Sequence, residues 1–237
     1  MEVFINAFNT ILYQPLFNAL VFLYQFLPGK DFGVAVIVLT IIIRIILYPL
    51  MLKSIKSQKA LSELQPKIQE IQQKYKNDKE KQAKEMMSFY QKEKINPLGG
   101  CLPLLIQVPI FIALYRVFWK GVEPGAMNHL YSFIPNPGEI NQTFFGLINL
   151  AEPSLGLAFL AGISQFFQTK MLMPKNPQQR AGEGQAKKTD QMSQFSNMMQ
   201  KQMLYFFPVF TVFILWKLPS ALGLYWLITA LFSILQQ

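Results

Sequence analysis

One arginine lies in the middle of the first long apolar stretch of the sequence. Arg44 is the eleventh of nineteen residues in segment 34–52 and carries the only charge there. Even the lower scales put an arginine at the bilayer centre at roughly 2.5–3.5 kcal/mol, so a protein or water environment must receive it. Thr40, Arg44 and Tyr48 follow at intervals of four and share one helical face. We therefore predict a wet cavity inside a helix bundle, with a dry bundle in which Arg44 binds a carbonyl as the alternative.

The charge of Arg44 has no obvious counter-ion in the sequence. None of the five long apolar segments contains an aspartate or a glutamate. A permanent cation without a counter-ion suits a site that meets a passing negative or polar group. Gln107, Gln165 and Gln168 offer uncharged polar lining, although such glutamines also form hydrogen bonds between membrane helices.

Residues for covalent or metal chemistry are scarce. The chain has one cysteine, Cys101, and one histidine, His129, which is too few for a zinc site or a disulfide within one chain. No glycine-rich phosphate loop occurs, so ATP use within this chain is not expected. We predict a protein without cofactors that is not an enzyme.

The composition indicates a membrane protein. Of 237 residues, 51% are apolar, 14% are aromatic and only 15% are charged. About 20 apolar residues span a bilayer as a helix, which predicts an all-α polytopic membrane protein with a five-span helical core. Segment 31–52 holds the first span and segment 97–237 the other four. The predicted spans are Val34–Leu52, Leu102–Trp119, Leu155–Met173, Met203–Trp216 and a last one from about Ala221 to the chain end.

The basic residues are distributed unevenly, which predicts the orientation. Segment 53–94 has eleven lysines against six acids, and segment 170–201 has six basic residues against two acids. Segment 120–152 has one lysine against three acids. Cytoplasmic loops carry the Lys/Arg excess, so the first two segments face the cytoplasm and loop 120–154 faces outward. The net charge of +9 thus reflects topology, and no specific nucleic-acid partner is expected.

Segment 53–96 predicts an antiparallel helical hairpin on the cytoplasmic face. Its apolar residues recur at spacings of three and four, with turn-forming residues at 76–79. Pro66 predicts a break with Gln65 as the boundary. The predicted seam consists of Leu61, Leu64, Ile68, Ile71 and Tyr75, resumed by Ala83, Met86 or Met87, and Tyr90.

Two further segments have distinct predictions. In segment 1–30, Gln14, Asn18 and Gln25 share a helical face, which favours an amphipathic helix in the outer interface over a sixth span. Residues 174–190 are rich in Gly, Pro, Gln and Lys, which predicts a flexible cytoplasmic loop over 174–200.

Several ordered motifs together resemble one known family. The run 96–103 reads NPLGGCLP and is followed by QVPIF at 107–111 and ALY at 113–115. The other matching stretches are Arg44 with YPL at 48–50, LQPKI at 64–68, LPS at 218–220 and LYW at 224–226. This pattern closely resembles the signature of the YidC family of membrane insertases, over nearly the whole chain from Pro15. The sequence shows neither a large folded domain before the first span nor a basic tail after Gln237, so the resemblance leads us to expect one of the short forms.

The resemblance implies a fold, a function and a set of site residues. Five spans would enclose a hydrophilic groove that is closed to the outside but open to the cytoplasm and to lipid. Hydrophilic segments of nascent membrane proteins would pass through this groove without ATP while their apolar helices enter lipid. The chain would reside in the bacterial inner membrane, with the Sec translocon, the ribosome and targeting factors as further partners. The expected groove residues are Arg44, Thr40, Tyr48, Gln107, Phe111, Gln165, Tyr225 and Trp226.

Two other classes of function remain open. A transporter that binds anions at Arg44 would show inverted repeats, and no repeat relates the two halves of the sequence. A scaffold or assembly chaperone would fail to insert a substrate when reconstituted alone.

Overall fold

The computed structural model describes residues 2–93, 96, 99, 102–120, 125–172 and 191–237. Most of these residues are helical, which confirms the all-α class. A π-helical turn, Asn9–Tyr13, joins the first two helices, and strands β1 (Thr143–Phe144) and β2 (Ile148–Asn149) form a small antiparallel hairpin. The helices are α1 Glu2–Phe8, α2 Gln14–Phe26, α3 Phe32–Glu63, α4 Gln65–Lys74, α5 Lys79–Lys92, α6 Leu102–Lys120, α7 Leu155–Leu172, α8 Gln191–Leu215 and α9 Ser220–Gln236.

Each of the five predicted spans coincides with a helix. In the described part of the chain, α3 is long and apolar enough to cross a membrane, with a mean hydropathy of 2.6 over its best 18-residue window. Shorter apolar stretches occur at Leu105–Trp119, Leu204–Leu215 and Ser220–Gln236.

Two helix boundaries differ from the sequence prediction. α3 continues beyond Leu52 to Glu63, because no helix-breaking residue intervenes after Pro49 until Pro66. α8 begins at Gln191, so the prediction of a flexible loop over 174–200 is wrong for residues 191–200. These residues lack glycine and proline, and they form one continuous helix with the predicted span that follows them. The preceding part of that loop lies outside the described residues.

Small residues let α7 pack closely against its neighbours. A Cβ atom on Gly162 would lie 2.4 Å from Val212 Cγ2 and 3.1 Å from the carbonyl oxygen of Pro208 on α8. A Cβ atom on Gly223 of α9 would lie 3.4 Å from Leu157 Cβ. Close backbone approach at small residues is a general means of helix association in membranes.

The predicted hairpin segment forms two helices, α4 and α5, that contact each other, and one residue of the predicted seam differs. α3 ends at Glu63 and α4 begins at Gln65, so the chain breaks where Pro66 predicted. Gln82 is buried and donates a 2.8 Å hydrogen bond to the Gln72 carbonyl oxygen, whereas Ala83 is exposed. The seam prediction is therefore wrong at Ala83.

The polar face of α2 contacts loop 120–154. Asn18 is only 2% exposed, and it donates to the His129 carbonyl oxygen at 2.9 Å and accepts from the Tyr131 amide at 2.7 Å. Gln14 donates to the same carbonyl, and Gln25 donates to the carbonyl of Pro135. These side chains thus bind loop backbone, whereas the sequence pattern alone suggested that they contact water or headgroups.

The same loop also contacts the beginning of α3 and caps the beginning of α9. The Asp31 carboxylate accepts from the Val34 amide at 2.9 Å and from the Phe145 amide in the β hairpin. At α9, the Ser220 amide donates to the Glu152 carbonyl oxygen at 3.0 Å, and the Ala221 amide donates to that of Leu150 at 3.1 Å. At α9 the loop therefore satisfies backbone amides that a helix beginning leaves without partners, whereas at α3 the Asp31 side chain does so.

A buried cationic cluster as the candidate functional site

Arg44 is the centre of a polar cluster among apolar helices. It is 6% exposed and projects from α3, whose neighbouring residue Ile43 is also buried. Its Nη2 atom lies 3.4 Å from Gln107 Oε1 on α6. That distance is longer than a typical N–H···O hydrogen bond of 2.7–3.2 Å, so the guanidinium is only weakly held there.

Gln107 links Arg44 to a third helix. Its Nε2 atom donates to the Tyr225 hydroxyl at 2.7 Å, and Tyr225 on α9 is 1% exposed. One amide thus presents its oxygen to the cation and its nitrogen to the phenol. The cluster consequently depends on the relative positions of α3, α6 and α9.

An aromatic pair lies close by on two of the same helices, with Phe111 one turn after Gln107 on α6 and Trp226 directly after Tyr225 on α9. Trp226 Nε1 donates to Gln165 Oε1 at 3.1 Å, which connects α9 to α7. The Phe111 and Trp226 rings meet edge to face with centroids 5.5 Å apart. The structure therefore brings Gln165, Phe111 and Trp226 together beside the cationic cluster.

The polar stripe predicted on α3 is buried at one end and open at the other. The Thr40 hydroxyl donates to the Val36 carbonyl oxygen at 2.6 Å, and Thr40 is 1% exposed. Tyr48 is 44% exposed, so it lies at the open end of the stripe. The amphipathic spacing identified the shared face, but it could not indicate which member would be covered.

The charge of Arg44 remains uncompensated in the described part of the chain. No described carboxylate lies within 4.0 Å of its guanidinium, and its neighbours are an amide and a phenol. Among described residues no cluster suited to hold a metal ion is present. Such a site can bind an anionic or polar group through charge-assisted hydrogen bonds, which are roughly twice as strong as neutral ones.

Sequence reasoning missed a second cluster, at the end of α6 away from the hairpin. Arg116 Nη1 donates to Asn9 Oδ1 at 2.8 Å, and its Cζ atom lies 5.2 Å from the centroid of the Tyr13 ring. Arg116 lies near the end of a predicted span, where an arginine can reach the membrane surface, so its position did not predict a buried partner. The four-residue spacing of Asn9 and Tyr13, which places them near one helical face, was the sequence signal that could have indicated the cluster.

The fold and this site define a class: an all-helical protein with a membrane-length apolar helix and an unpaired cation among its apolar helices. The family model of the 60Kd inner membrane protein matches residues 22–237. The chain belongs to this family, which confirms the resemblance to YidC insertases.

Similar proteins include both short and long chains. The membrane protein insertase YidC of Fusobacterium nucleatum subsp. nucleatum is 35% identical over 207 residues, which cover 87% of this chain and 84% of that protein. The YidC of Wolinella succinogenes is 37% identical over 232 residues, which cover 98% of this chain but 37% of that protein. This chain therefore spans most of the first relative and little more than a third of the second.

A solved structure is similar as well. It is described as an active YidC insertase crystal structure with the first transmembrane domain resolved. The TM-score is 0.59 with 28% sequence identity, over 94% of this chain and 45% of that one.

Proposed function

We propose that this chain is a membrane protein insertase that moves short hydrophilic segments of nascent membrane proteins across the bilayer and releases their apolar helices into lipid. The observation that carries the proposal is the burial of Arg44, an uncompensated cation held by one long contact to Gln107. Membership of the 60Kd inner membrane protein family and the names of the relatives support it.

The five helices that coincide with the predicted spans form the membrane core in this proposal. Large apolar side chains project outward from α7 and α8, and a membrane would cover them. Examples that are at least 50% exposed are Phe159, Leu160, Ile163, Phe167, Phe206, Val209 and Phe213.

The groove is closed on its outer side and opens toward the cytoplasm. Loop 120–154 covers the beginnings of α3 and α9 through the Asp31 and Ser220 contacts, which supports outer closure. Tyr48, on the cytoplasmic side of Arg44 in the predicted topology, is exposed and marks the open side.

Opening the groove requires movement of α6. This helix packs mainly against the N-terminal helices and only lightly against α3 and α9. An incoming carboxylate can replace Gln107 as the partner of Arg44, because a charged pair exceeds a long neutral contact in strength. Separation of α6 from α3 then provides space for the polar segment.

No nucleotide is needed for this cycle. Transfer of the apolar helix into lipid supplies about 0.8 kcal/mol per buried CH₂ group. The membrane potential adds roughly 2.3 kcal/mol per 100 mV for each anionic charge that moves outward. Arg44 lowers the barrier by holding that charge part of the way across. Thr40, Tyr48, Gln107, Phe111, Gln165, Tyr225 and Trp226 line this path.

Reconstitution tests the proposal directly. The full chain is placed in liposomes with a purified single-span substrate, without ATP, and insertion is measured by protease protection of the translocated tail. We expect protection well above that in liposomes lacking the chain. Protection equal to empty liposomes, with substrate bound to the folded chain, would identify a scaffold or assembly chaperone instead.

A further inference from the structure

A polar cavity lies at the outer end of α6, apart from the Arg44 cluster. Its volume is about 280 Å³, and its lining residues are Asn9, Tyr13, Gln14, Arg116, Gly125, Ala126 and His129. Ligand pockets for whole small molecules run from roughly 300 to 1,000 Å³, so this cavity suits a headgroup-sized chemical group.

The cavity is built around the guanidinium of Arg116. Asn9 accepts from Nη1, and the rings of Phe8 and Tyr13 lie 5.8 and 5.2 Å from Cζ. A guanidinium has five N–H donors, of which the hydrogen bond to Asn9 uses one. Donors arranged in this planar fork match the oxygens of a phosphate group.

Among the described residues that line the cavity, Arg116 carries a positive charge and none carries a negative one. No described carboxylate lines it or lies within 4.0 Å of Arg116. The nearest carboxylate along the chain, that of Glu123, lies outside the described residues. An anion is therefore the complementary ligand.

The backbone geometry at this cavity is unusual. Asn9 and Tyr13, which both contact Arg116, are the first and last residues of the π-helical turn. Such turns are rare and frequently occur at functional sites. Here the turn places both side chains around the same guanidinium.

The neighbouring surface is apolar, which favours a lipid as the source of the anion. Val3, Phe4 and Ile11 are 78%, 82% and 70% exposed on the helical segment that carries Asn9. Trp119, one turn beyond Arg116, is 53% exposed, and tryptophan is enriched at membrane interfaces. Acyl chains can cover this surface while the phosphate enters the cavity.

We propose that this cavity binds the phosphate group of an anionic phospholipid in the outer leaflet, with Arg116 as the principal ligand. The bound lipid joins the N-terminal helices to α6 at the membrane surface. This site is separate from the proposed insertion path and does not depend on it.

Native mass spectrometry of the full chain in detergent, titrated with phosphatidylglycerol, tests the proposal. We expect Arg116→Gln to weaken binding by about tenfold or more, since a charge-assisted hydrogen bond is lost. The matched control is Lys217→Gln, which removes an exposed cation beside Trp216 without touching the cavity, and it should change binding by less than about twofold. Equal binding by wild type and Arg116→Gln would overturn the proposal, including the case in which Glu123 already pairs with Arg116.

Further arms identify the source of the phosphate and guard against misfolding. Wild-type chain should prefer phosphatidylglycerol over zwitterionic phosphatidylcholine by about tenfold, and equal affinity would overturn the proposal even if Arg116→Gln does not fold. Inorganic phosphate at millimolar concentration should not displace the lipid. Displacement by phosphate, or by an acidic peptide, would show a site for soluble anions and reject the lipid.

Discussion

At the residue scale, the important relationship joins Arg44 to Gln107 and Gln107 to Tyr225. A single amide serves a cation and a phenol, both buried. Loss of that amide leaves two buried polar groups without their partner, which is costlier than the loss of one exposed hydrogen bond. The cluster is held together by the Gln107 amide, but the contact at the Arg44 guanidinium is long. A stronger hydrogen-bond acceptor can replace Gln107 there.

We expect Gln107→Leu to lower the free energy of unfolding by about 1–3 kcal/mol, because the buried Tyr225 hydroxyl loses the Gln107 amide that donates to it. Tyr225→Phe should be less costly in the Gln107→Leu background than in the wild type. Denaturant unfolding of the two single variants and the double variant measures this coupling. Gln168→Leu paired with Tyr225→Phe is the control, and it should be additive within about 0.5 kcal/mol. Additivity for both pairs would contradict the cluster.

The cationic site was only partly predictable at this scale. Arg44 lies in the middle of an apolar run, and an arginine there is costly unless a polar environment receives it. The sequence alone therefore predicted the polar environment. Gln107 lies 63 residues from Arg44 in sequence and Tyr225 lies a further 118 residues from Gln107, so helix packing had to bring the three together. The family resemblance supplied Tyr225, whereas periodicity alone did not single it out.

At the element scale, the contact between α7 and α8 depends on the absence of a side chain at Gly162. We expect Gly162→Ala to lower the melting temperature in detergent, since its Cβ would clash with Val212 and the rigid Pro208 carbonyl. Gly156→Ala on the same helix meets only Ser154 Oγ at 3.9 Å and should be neutral or stabilising. A Gly162→Ala melting temperature equal to that of Gly156→Ala would contradict the packing described.

Asp31 joins the beginning of α3 to the β hairpin of the outer loop. Asp31→Ala removes a helix cap, typically worth about 1 kcal/mol, and also frees the Phe145 amide. We expect faster chymotrypsin cleavage at the exposed hairpin tip, Phe145, which is 69% exposed.

Asp78→Ala provides the control for this prediction. Asp78 caps α5 in the hairpin through the Lys81 amide at 2.9 Å and lies far from Phe145 in the chain. It should leave cleavage at Phe145 unchanged. Equally faster cleavage in the two variants would mean that the effect reflects general destabilisation and not the loss of the hydrogen bond between Asp31 and the Phe145 amide.

The sequence predicted the positions of the helices from the apolar runs and from Pro66. It did not predict which residues of α5 face α4, or the structure of loop 120–154. The turn before α5 interrupts the seam, α5 begins after the Asp78 cap, and Gln82, not Ala83, faces α4. The outer loop has strands of two residues each, which are too short for an alternating pattern. The polar face that contains Asn18 has the same sequence pattern whether its side chains bind lipid headgroups or loop carbonyls, so the pattern could not distinguish the two.

At the scale of the whole molecule, the two ends of the helical core differ. One end, which faces outward in the predicted topology, is covered by loop 120–154, whose carbonyls cap α9 and bind α2. The other end carries the lysine-rich hairpin and the open end of the Arg44 stripe. In the predicted topology this asymmetry suits the proposed transfer, in which polar segments enter from the cytoplasm and leave on the outer side.

The central claim is that the positive charge of Arg44 attracts the polar segment being transferred. Its most direct test is insertion per folded molecule in liposomes, for a substrate with an acidic translocated tail and for the same substrate with those acids neutralised. We predict that Arg44→Ala lowers insertion of the acidic substrate by about tenfold or more, that Arg44→Lys retains most of it, and that the neutralised substrate is much less affected. Equal losses for the two substrates would contradict the claim.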